Sequence, residues 1–111
     1  MSGETPIIRD ILDALEQLGV EAFRAQSGRV RVRGGWMVLC PEGTADILGY
    51  LPPAATMFGV ECKTPGGRHP LTDEQQAWGE RLVRAGGLYV VARTVGEALA
   101  GLGLAQPGRA S

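Results

Sequence analysis

The hydrophobic residues at the start of the chain recur with the period of a helix. Isoleucine and leucine stand three and four residues apart over residues 6–18, so their side chains would line one helical face. Thr5 is a suitable capping residue, and Pro6 suits the first helical position because that position needs no backbone N–H. Gly19 follows the last apolar residue. The pattern therefore predicts an amphipathic helix over residues 6–18.

Short strands separated by turn residues are predicted through the middle of the chain. We expect strands at residues 20–26, 29–33, 36–40, 45–51 and 57–63. Glycine-containing turns separate the first three, which we expect to form an antiparallel meander with an arginine-bearing face. Pro52 and Pro53 break the chain between the last two, which we expect to be neighbours in the sheet.

A second helix and a buried strand are predicted in the later part of the chain. Residues 64–70 contain glycines and two prolines and cannot continue a strand. Thr72 then opens a helix that ends at Gly86. Its expected inward side chains are Trp78, Leu82 and Val83. Residues 88–92 are continuously apolar, which is typical of a strand covered on both faces.

The chain should form a single domain of the α/β class. Thr94 and Glu97 have the spacing of a capping box and start a last short helix that ends near Leu102. The predicted order of elements is α-β-β-β-β-β-α-β-α. We expect residues 1–103 to form the domain and residues 104–111, which lack periodicity, to form a flexible C-terminal tail.

The composition fits one globular domain with an uneven charge. The 111 residues are 44% hydrophobic and 21% charged, which is typical of globular proteins, and only 5% aromatic, which favours an aliphatic core. A formal net charge of −1 excludes a partner held by bulk positive charge alone. Residues 1–23 are nevertheless mostly acidic, whereas residues 24–41 carry four arginines and no acid.

The cysteine content and the lack of long apolar stretches favour a cytoplasmic protein. Cys40 and Cys62 form neither a CxxC pair nor a dense framework, as expected in a reducing compartment. No basic-then-apolar leader precedes the first helix, and no apolar stretch approaches the ~20 residues that span a bilayer. We therefore expect an intracellular protein without membrane contact.

Three side chains in the middle of the chain form the main candidate site. Asp46 stands near the start of one predicted strand, and Glu61 and Lys63 stand at the end of the next. Because residues i and i+2 of a strand face the same way, Glu61 and Lys63 project together while Cys62 points to the opposite, buried face. Adjacent strands would bring Asp46 to them. Two converging carboxylates favour a divalent cation, and a neighbouring ammonium can stabilise charge on a phosphate.

These residues also have a structural interpretation. Glu61 and Lys63 could form a solvated charge pair, with Asp46 merely starting a strand. Gln75 lies one turn into the predicted second helix, where it either closes a capping box with Thr72 or faces the Lys63 end of the sheet. The spacing leaves both interpretations open.

Positive side chains form a candidate nucleic-acid surface. The alternating set on one predicted strand is Arg29, Arg31 and Arg33. Such a stripe can follow phosphates without reading sequence, and the alternative is a solvated hairpin face. Arg68 and His69 in the glycine loop are expected near backbone phosphates, although a histidine could also act as a general acid or a metal ligand. Trp36 and Tyr50 are the candidates for base stacking.

The order of these motifs resembles the VRR-NUC domain, the virus-type replication-repair nuclease branch of the PD-(D/E)xK superfamily. The matching residues are Gly43-Thr44-Ala45-Asp46, Glu61-Cys62-Lys63, Leu71-Thr72 with Gln75, and Gly86-Gly87. The resemblance covers residues 4–97 and implies a stand-alone, phage-type version. It implies a restriction-endonuclease-like core, in which helices flank a central mixed β-sheet. Ala45 departs from the superfamily pattern, which has proline before the aspartate.

The resemblance also implies roles for individual residues. The metal ligands would be Asp46, Glu61, the Cys62 carbonyl and Glu4, and the ion would be Mg²⁺ or Mn²⁺. Lys63 would be the catalytic lysine, and Gln75 would be the helix glutamine of the family. The element near the substrate backbone would comprise Arg24, Ser27 and Gly28.

The function implied by the resemblance is metal-dependent hydrolysis of phosphodiester bonds in DNA. The nuclease would be structure-selective in the manner of a Holliday-junction resolvase and would leave 5′-phosphates. A homodimer is expected, because a twofold pair could place two sites on symmetric strands of a branched DNA. Two alternatives come from other classes: a catalytically silent nucleic-acid-binding or assembly module that uses the arginine hairpin, and a structural interaction domain whose charges only solvate the sheet.

Overall fold

A computed structural model of the protein describes residues 5–64, 66 and 70–105. The helices in these ranges are α1 (Thr5–Gln17), α2 (Asp73–Arg84) and α3 (Val95–Gly101). The strands are β1 (Glu21–Arg24), β2 (Arg29–Val32), β3 (Gly35–Val38), β4 (Ile47–Leu51), β5 (Thr56–Cys62) and β6 (Leu88–Ala92). The predicted order of elements and the α/β class are confirmed. Within the described ranges, no helix has the length and apolar character needed to cross a membrane.

The central sheet is mixed and has the strand order β1-β4-β5-β6. Strand β4 pairs antiparallel with both β1 and β5, whereas β5 and β6 run parallel. Strands β2 and β3 form a separate two-stranded hairpin. The antiparallel β2–β3 pair of the predicted meander is confirmed, but the expected β1–β2 pair is wrong, because β1 pairs with β4. Pairing with β4 lets Ala22 of β1 extend the packed face of the sheet, whereas every residue of β2 is exposed.

The hydrophobic core lies between the sheet and the helices α1 and α3. Its largest fully buried side chains are Phe58, Ile11, Leu15, Ile47, Leu99, Val60 and Cys62. Phe58, Val60 and Cys62 alternate along β5, so one sheet face, here called the core face, carries them all. The opposite face carries Gly59 and Glu61 and is called the site face. Helix α2 packs over β5 and β6 on the site face.

Two burial predictions for the later part of the chain are wrong. Strand β6 is not covered on both sides, since Leu88 is 36% and Val91 37% exposed. The reason is that β6 is the last strand of the sheet. Val83 of α2 is 56% exposed, while Leu82 is buried and Trp78 is half-buried. The helix therefore presents Trp78 and Leu82 to the sheet and turns Val83 outward.

The caps of α2 and α3 agree with the sequence pattern, with one difference. Thr72 and Gln75 form the complete capping box of α2. Thr94 caps α3 by accepting from the Glu97 N–H, but the Glu97 carboxylate accepts from the Arg93 N–H instead of closing a box with Thr94. At the start of the predicted tail, Leu104 packs against the core and donates its N–H to the Leu99 carbonyl. Residues 106–111 lie outside the described part of the chain.

Candidate functional site

Strands β4 and β5 place the two predicted carboxylates on the same sheet face. Ile47 pairs with Val60 in antiparallel register, so Asp46, one residue before Ile47, is opposite Glu61, one residue after Val60, on the site face. The Cys62 backbone N–H donates to Asp46 Oδ2 over 2.8 Å and holds that carboxylate against β5. The Cys62 side chain is fully buried on the core face, as predicted.

Gln75 joins the carboxylate to the lysine. Its Nε2 donates to Glu61 Oε2 over 3.1 Å, and its Oε1 accepts from Lys63 Nζ over 3.2 Å. The same Oε1 also accepts from the Thr72 backbone N–H over 2.9 Å. The capping and site interpretations of Gln75 therefore hold together, because one side chain closes the helix cap and contacts both Glu61 and Lys63. Four predicted residues, Asp46, Glu61, Lys63 and Gln75, are here called the acid–lysine cluster.

A loop pressed against the start of α2 holds the Asp46 end of β4. Gly43 has φ +88, and a Cβ at this position would collide with the backbone carbonyl of Glu74. Thr44 is buried and donates its hydroxyl to the Pro41 carbonyl over 2.6 Å. The Asp46 carbonyl accepts from the Ala25 N–H over 2.8 Å. The loop therefore ties β4 both to β1 and to the first turn of the helix that carries Gln75.

Two glycines allow α2 to approach the sheet closely. A Cβ on Gly59 of β5 would lie 2.8 Å from the Trp78 ring, and a Cβ on Gly79 would lie 2.5 Å from the Tyr89 ring. The Trp78 and Tyr89 rings contact each other with centroids 5.9 Å apart. Since Gln75 lies one helical turn before this contact, the packing sets its distance from the sheet. Sequence reasoning missed Gly59, Gly79 and Tyr89, although glycine inside a strand is a known sign of close approach.

Glu61 is the buried member of the cluster, and its charge and that of Asp46 act on the neighbouring Tyr89. Glu61 is only 3% exposed. Burial raises the pKa of Tyr89 well above its ordinary value, and the negative charges of Glu61 and Asp46 raise it further. Because ionisation of the phenol would add a third negative charge, Tyr89 stays protonated beside the two carboxylates.

Among the described residues, the side chains that could ligate a metal ion at this point are the carboxylates of Asp46 and Glu61. No group of three or more histidine, cysteine or acidic side chains suited to a metal occurs among the described residues. Asp46 and Glu61 offer hard oxygen ligands, and Mg²⁺ commonly takes one or two carboxylates together with water and phosphate oxygens. Of the other predicted ligands, Cys62 contributes only backbone at this face. Glu4 lies outside the described residues.

The arginine hairpin differs from the predicted three-residue stripe. Arg29 and Arg31 share one side of β2, and their guanidinium carbons lie 5.2 and 5.8 Å from the centroid of the exposed Trp36 ring. Arg33 falls in the turn after β2, since the strand ends at Val32. The hairpin therefore presents a two-arginine, one-tryptophan surface, with Arg33 at its tip.

Three other predicted nucleic-acid residues that the structure describes, Arg24, Ser27 and Gly28, are not on the site face of the sheet. Arg24 is exposed and pairs with Ile47, so strand alternation turns it to the core face. Ser27 bridges to Cys40, and the Gly28 N–H donates to the Cys40 carbonyl, so both residues form the base of the hairpin. Arg68 and His69 lie outside the described residues.

Comparison with known proteins does not assign the chain to a family. No family model matches it, and no curated protein matches it either. The resemblance to VRR-NUC domains therefore depends on the motif residues alone.

Proposed function

We propose that this protein is a metal-dependent DNA nuclease with a PD-(D/E)xK-type core of the VRR-NUC kind. The observation that carries the proposal is the position of Gln75, which bonds to both Lys63 and Glu61 while Asp46 lies opposite Glu61. A solvated charge pair would not require a buried glutamate or a helix docked above it. The antiparallel pair β4–β5, followed by α2 and the parallel strand β6, is consistent with this kind of core.

Asp46 and Glu61 would hold the metal ion. Their chemistry fits a hard divalent cation, because a buried carboxylate facing a second carboxylate is stabilised by a positive charge. When bound, Mg²⁺ or Mn²⁺ would supply an activated water and neutralise charge on the phosphate. The Cys62 N–H keeps Asp46 in place through its bond to Oδ2, so that one carboxylate is oriented before any ligand arrives.

Lys63 supplies a positioned positive charge next to the carboxylates. Its Nζ donates to Gln75 Oε1, which leaves the other ammonium protons for a phosphate oxygen or an attacking water. Gln75 fixes the ammonium relative to Glu61, so the charge is oriented before the reaction starts. Such preorganised charge stabilises the transition state more than a freely moving surface lysine does.

The test compares cleavage of labelled four-way junction, flap, duplex and single-stranded DNA in Mg²⁺, Mn²⁺ or EDTA. Lys63→Ala should lower the cleavage rate by about 10²–10³-fold, which is typical for loss of one charge-stabilising group. Asp46→Asn should abolish metal-dependent cleavage, since the amide oxygen can still accept from Cys62 but carries no charge. Arg84→Ala removes an exposed positive charge at the far end of α2 and should cleave like the wild type.

Cleavage that survives in both Lys63→Ala and Asp46→Asn would overturn the nuclease assignment. Circular dichroism and thermal melting of each variant show whether the fold is kept. If the DNA stays intact under all conditions, and binding depends on salt but is unchanged by EDTA, the result would instead support the silent binding module. The exposed Arg29–Trp36–Arg31 surface favours that alternative, because it can hold phosphates without a metal ion.

We also infer that a homodimer is the working form on branched DNA. One chain provides one acid–lysine cluster, whereas a symmetric junction has two strands to cut. The side of the hairpin opposite its arginines carries Val30, Val32 and Met37, all exposed and available for contact. Static light scattering should report the mass of two chains, and the mass of a single chain at every concentration would contradict the inference.

A further inference from the structure

Half of the site face is left uncovered. Helix α2 lies over β5 and β6, and the described part of the chain places no helix over the site-face side chains of β1 and β4. Phe23 of β1 is 60% exposed, and Tyr50 of β4 is 47% exposed. Met57 at the start of β5 is 44% exposed, and Leu48 is half-buried between them. We call these four residues the open strip.

The open strip leads directly to the acid–lysine cluster. The register pairs Phe23 with Leu48 and Tyr50 with Met57, so the strip fills two successive rows of the site face. Asp46 lies on the same face two residues before Leu48, a distance of about 6.5 Å along the strand. A DNA strand whose phosphate reaches Asp46 is blocked by α2 on one side. The uncovered path along this face next to Asp46 crosses the open strip.

The shape and charge of the strip suit bases better than phosphates. It borders a groove of about 390 Å³ whose lining includes both aromatic rings and Glu21, a volume in the range that small organic ligands occupy. The Glu21 carboxylate disfavours a phosphate at this end, whereas flat aromatic faces stack on any base. In a continuous duplex the bases are stacked on each other and out of reach, so only unpaired bases can lie here.

We infer that Phe23 and Tyr50 form a stacking platform for unpaired bases next to the bond that is cut. The inference rests on the proposed nuclease function and specifies its substrate as DNA with single-stranded nucleotides, such as a flap, a branch point or a free strand. Stacking of one base on Phe23, the ring nearer to Asp46, sets the strand on its path to the cluster.

The test measures binding in EDTA, where no cleavage occurs. The probes are a single-stranded oligonucleotide that contains a fluorescent adenine analogue and a blunt duplex of the same sequence. Phe23→Leu and Tyr50→Leu keep an apolar side chain at exposed positions, so folding is spared. Each should weaken single-strand binding by about 5- to 150-fold, the range that stacking on one base contributes, and should leave duplex binding unchanged. Quenching of the base analogue should disappear in the double variant.

Val83→Ala is the control, since it trims a comparably exposed apolar side chain on α2, outside the open strip, and should leave binding unchanged. Trp36→Leu removes the exposed ring of the Arg29–Trp36–Arg31 surface, the competing stacking site. The inference would be overturned if the Phe23 and Tyr50 variants keep wild-type affinity and quenching. It would also be overturned if only Trp36→Leu loses single-strand binding and quenching. A third contradicting result is a wild-type dimer that becomes monomeric in the Phe23→Leu, Tyr50→Leu double variant while DNA binding stays unchanged. The strip would then be a contact between two copies of the chain. Failure of the nuclease proposal is seen separately, as absent cleavage by the wild type in Mg²⁺ or Mn²⁺.

Discussion

Replacing Gly79 by alanine has two opposing effects on stability, a gain in helix propensity and a loss in packing. Gly79 lies inside α2, where alanine is favoured over glycine by about 1 kcal/mol. An added Cβ would lie 2.5 Å from the Cδ2 and Cε2 atoms of Tyr89, far inside van der Waals contact. The Tyr89 ring cannot simply move aside, because it belongs to the sheet and packs against Trp78. Overpacking of this kind costs about 1–3 kcal/mol.

The net expectation for Gly79→Ala is a loss of about 0–2 kcal/mol in the free energy of unfolding. For a domain of this size, each kcal/mol lowers the melting temperature by about 4–8 °C. Cleavage should fall further than stability explains, because α2 moves away from the sheet and carries Gln75 away from Glu61 and Lys63.

A double-mutant cycle with Tyr89→Ala tests whether the Tyr89 ring causes the packing loss. Urea unfolding measures the effect of Gly79→Ala in the wild type and in Tyr89→Ala. Without the ring, the added methyl meets no obstacle, and the substitution should stabilise the protein by up to about 1 kcal/mol through helix propensity. The sign of the effect should therefore reverse between the two backgrounds. The same sign and size in both would refute the proposed contact between Gly79 and Tyr89.

Three further predictions concern the surroundings of the cluster. Folding raises the pKa of Tyr89, so above pH ~10 the unfolded chain loses its phenol proton first and the free energy of unfolding falls. Urea titrations between pH 8 and 11 should show that this loss of stability is absent in Tyr89→Phe. Thr72→Ala should cost about 1 kcal/mol of unfolding free energy through the lost cap, and Thr72→Ser should restore most of it. Gly43→Ala should lower the free energy of unfolding by more than about 1 kcal/mol, since it combines a positive φ with a clash at Glu74. Cleavage assays should show a reduced rate. Unchanged stability would contradict the role assigned to this loop.

The sequence by itself determined the local structure and the composition of the cluster. Helical spacing located α1, and the Thr72 to Gln75 spacing located the start of α2. The alternation of a strand was enough to place Glu61 and Lys63 on one face and Cys62 on the other, since that relation depends only on neighbouring residues. The prediction that Asp46 joins them also holds, because the two strands are adjacent in the chain and pair with each other.

Only the tertiary structure decided which elements meet. The pairing of β1 with β4 joins segments more than twenty residues apart, and no local pattern distinguishes it from pairing with β2. The contacts of Gly59 with Trp78 and of Gly79 with Tyr89 depend on where α2 lies on the sheet. The exposure of Phe23 likewise follows from the part of the sheet that α2 leaves uncovered. The periodicity of the sequence predicts which residues share a face of a helix or strand. Which element packs against that face depends on the packing of the whole chain.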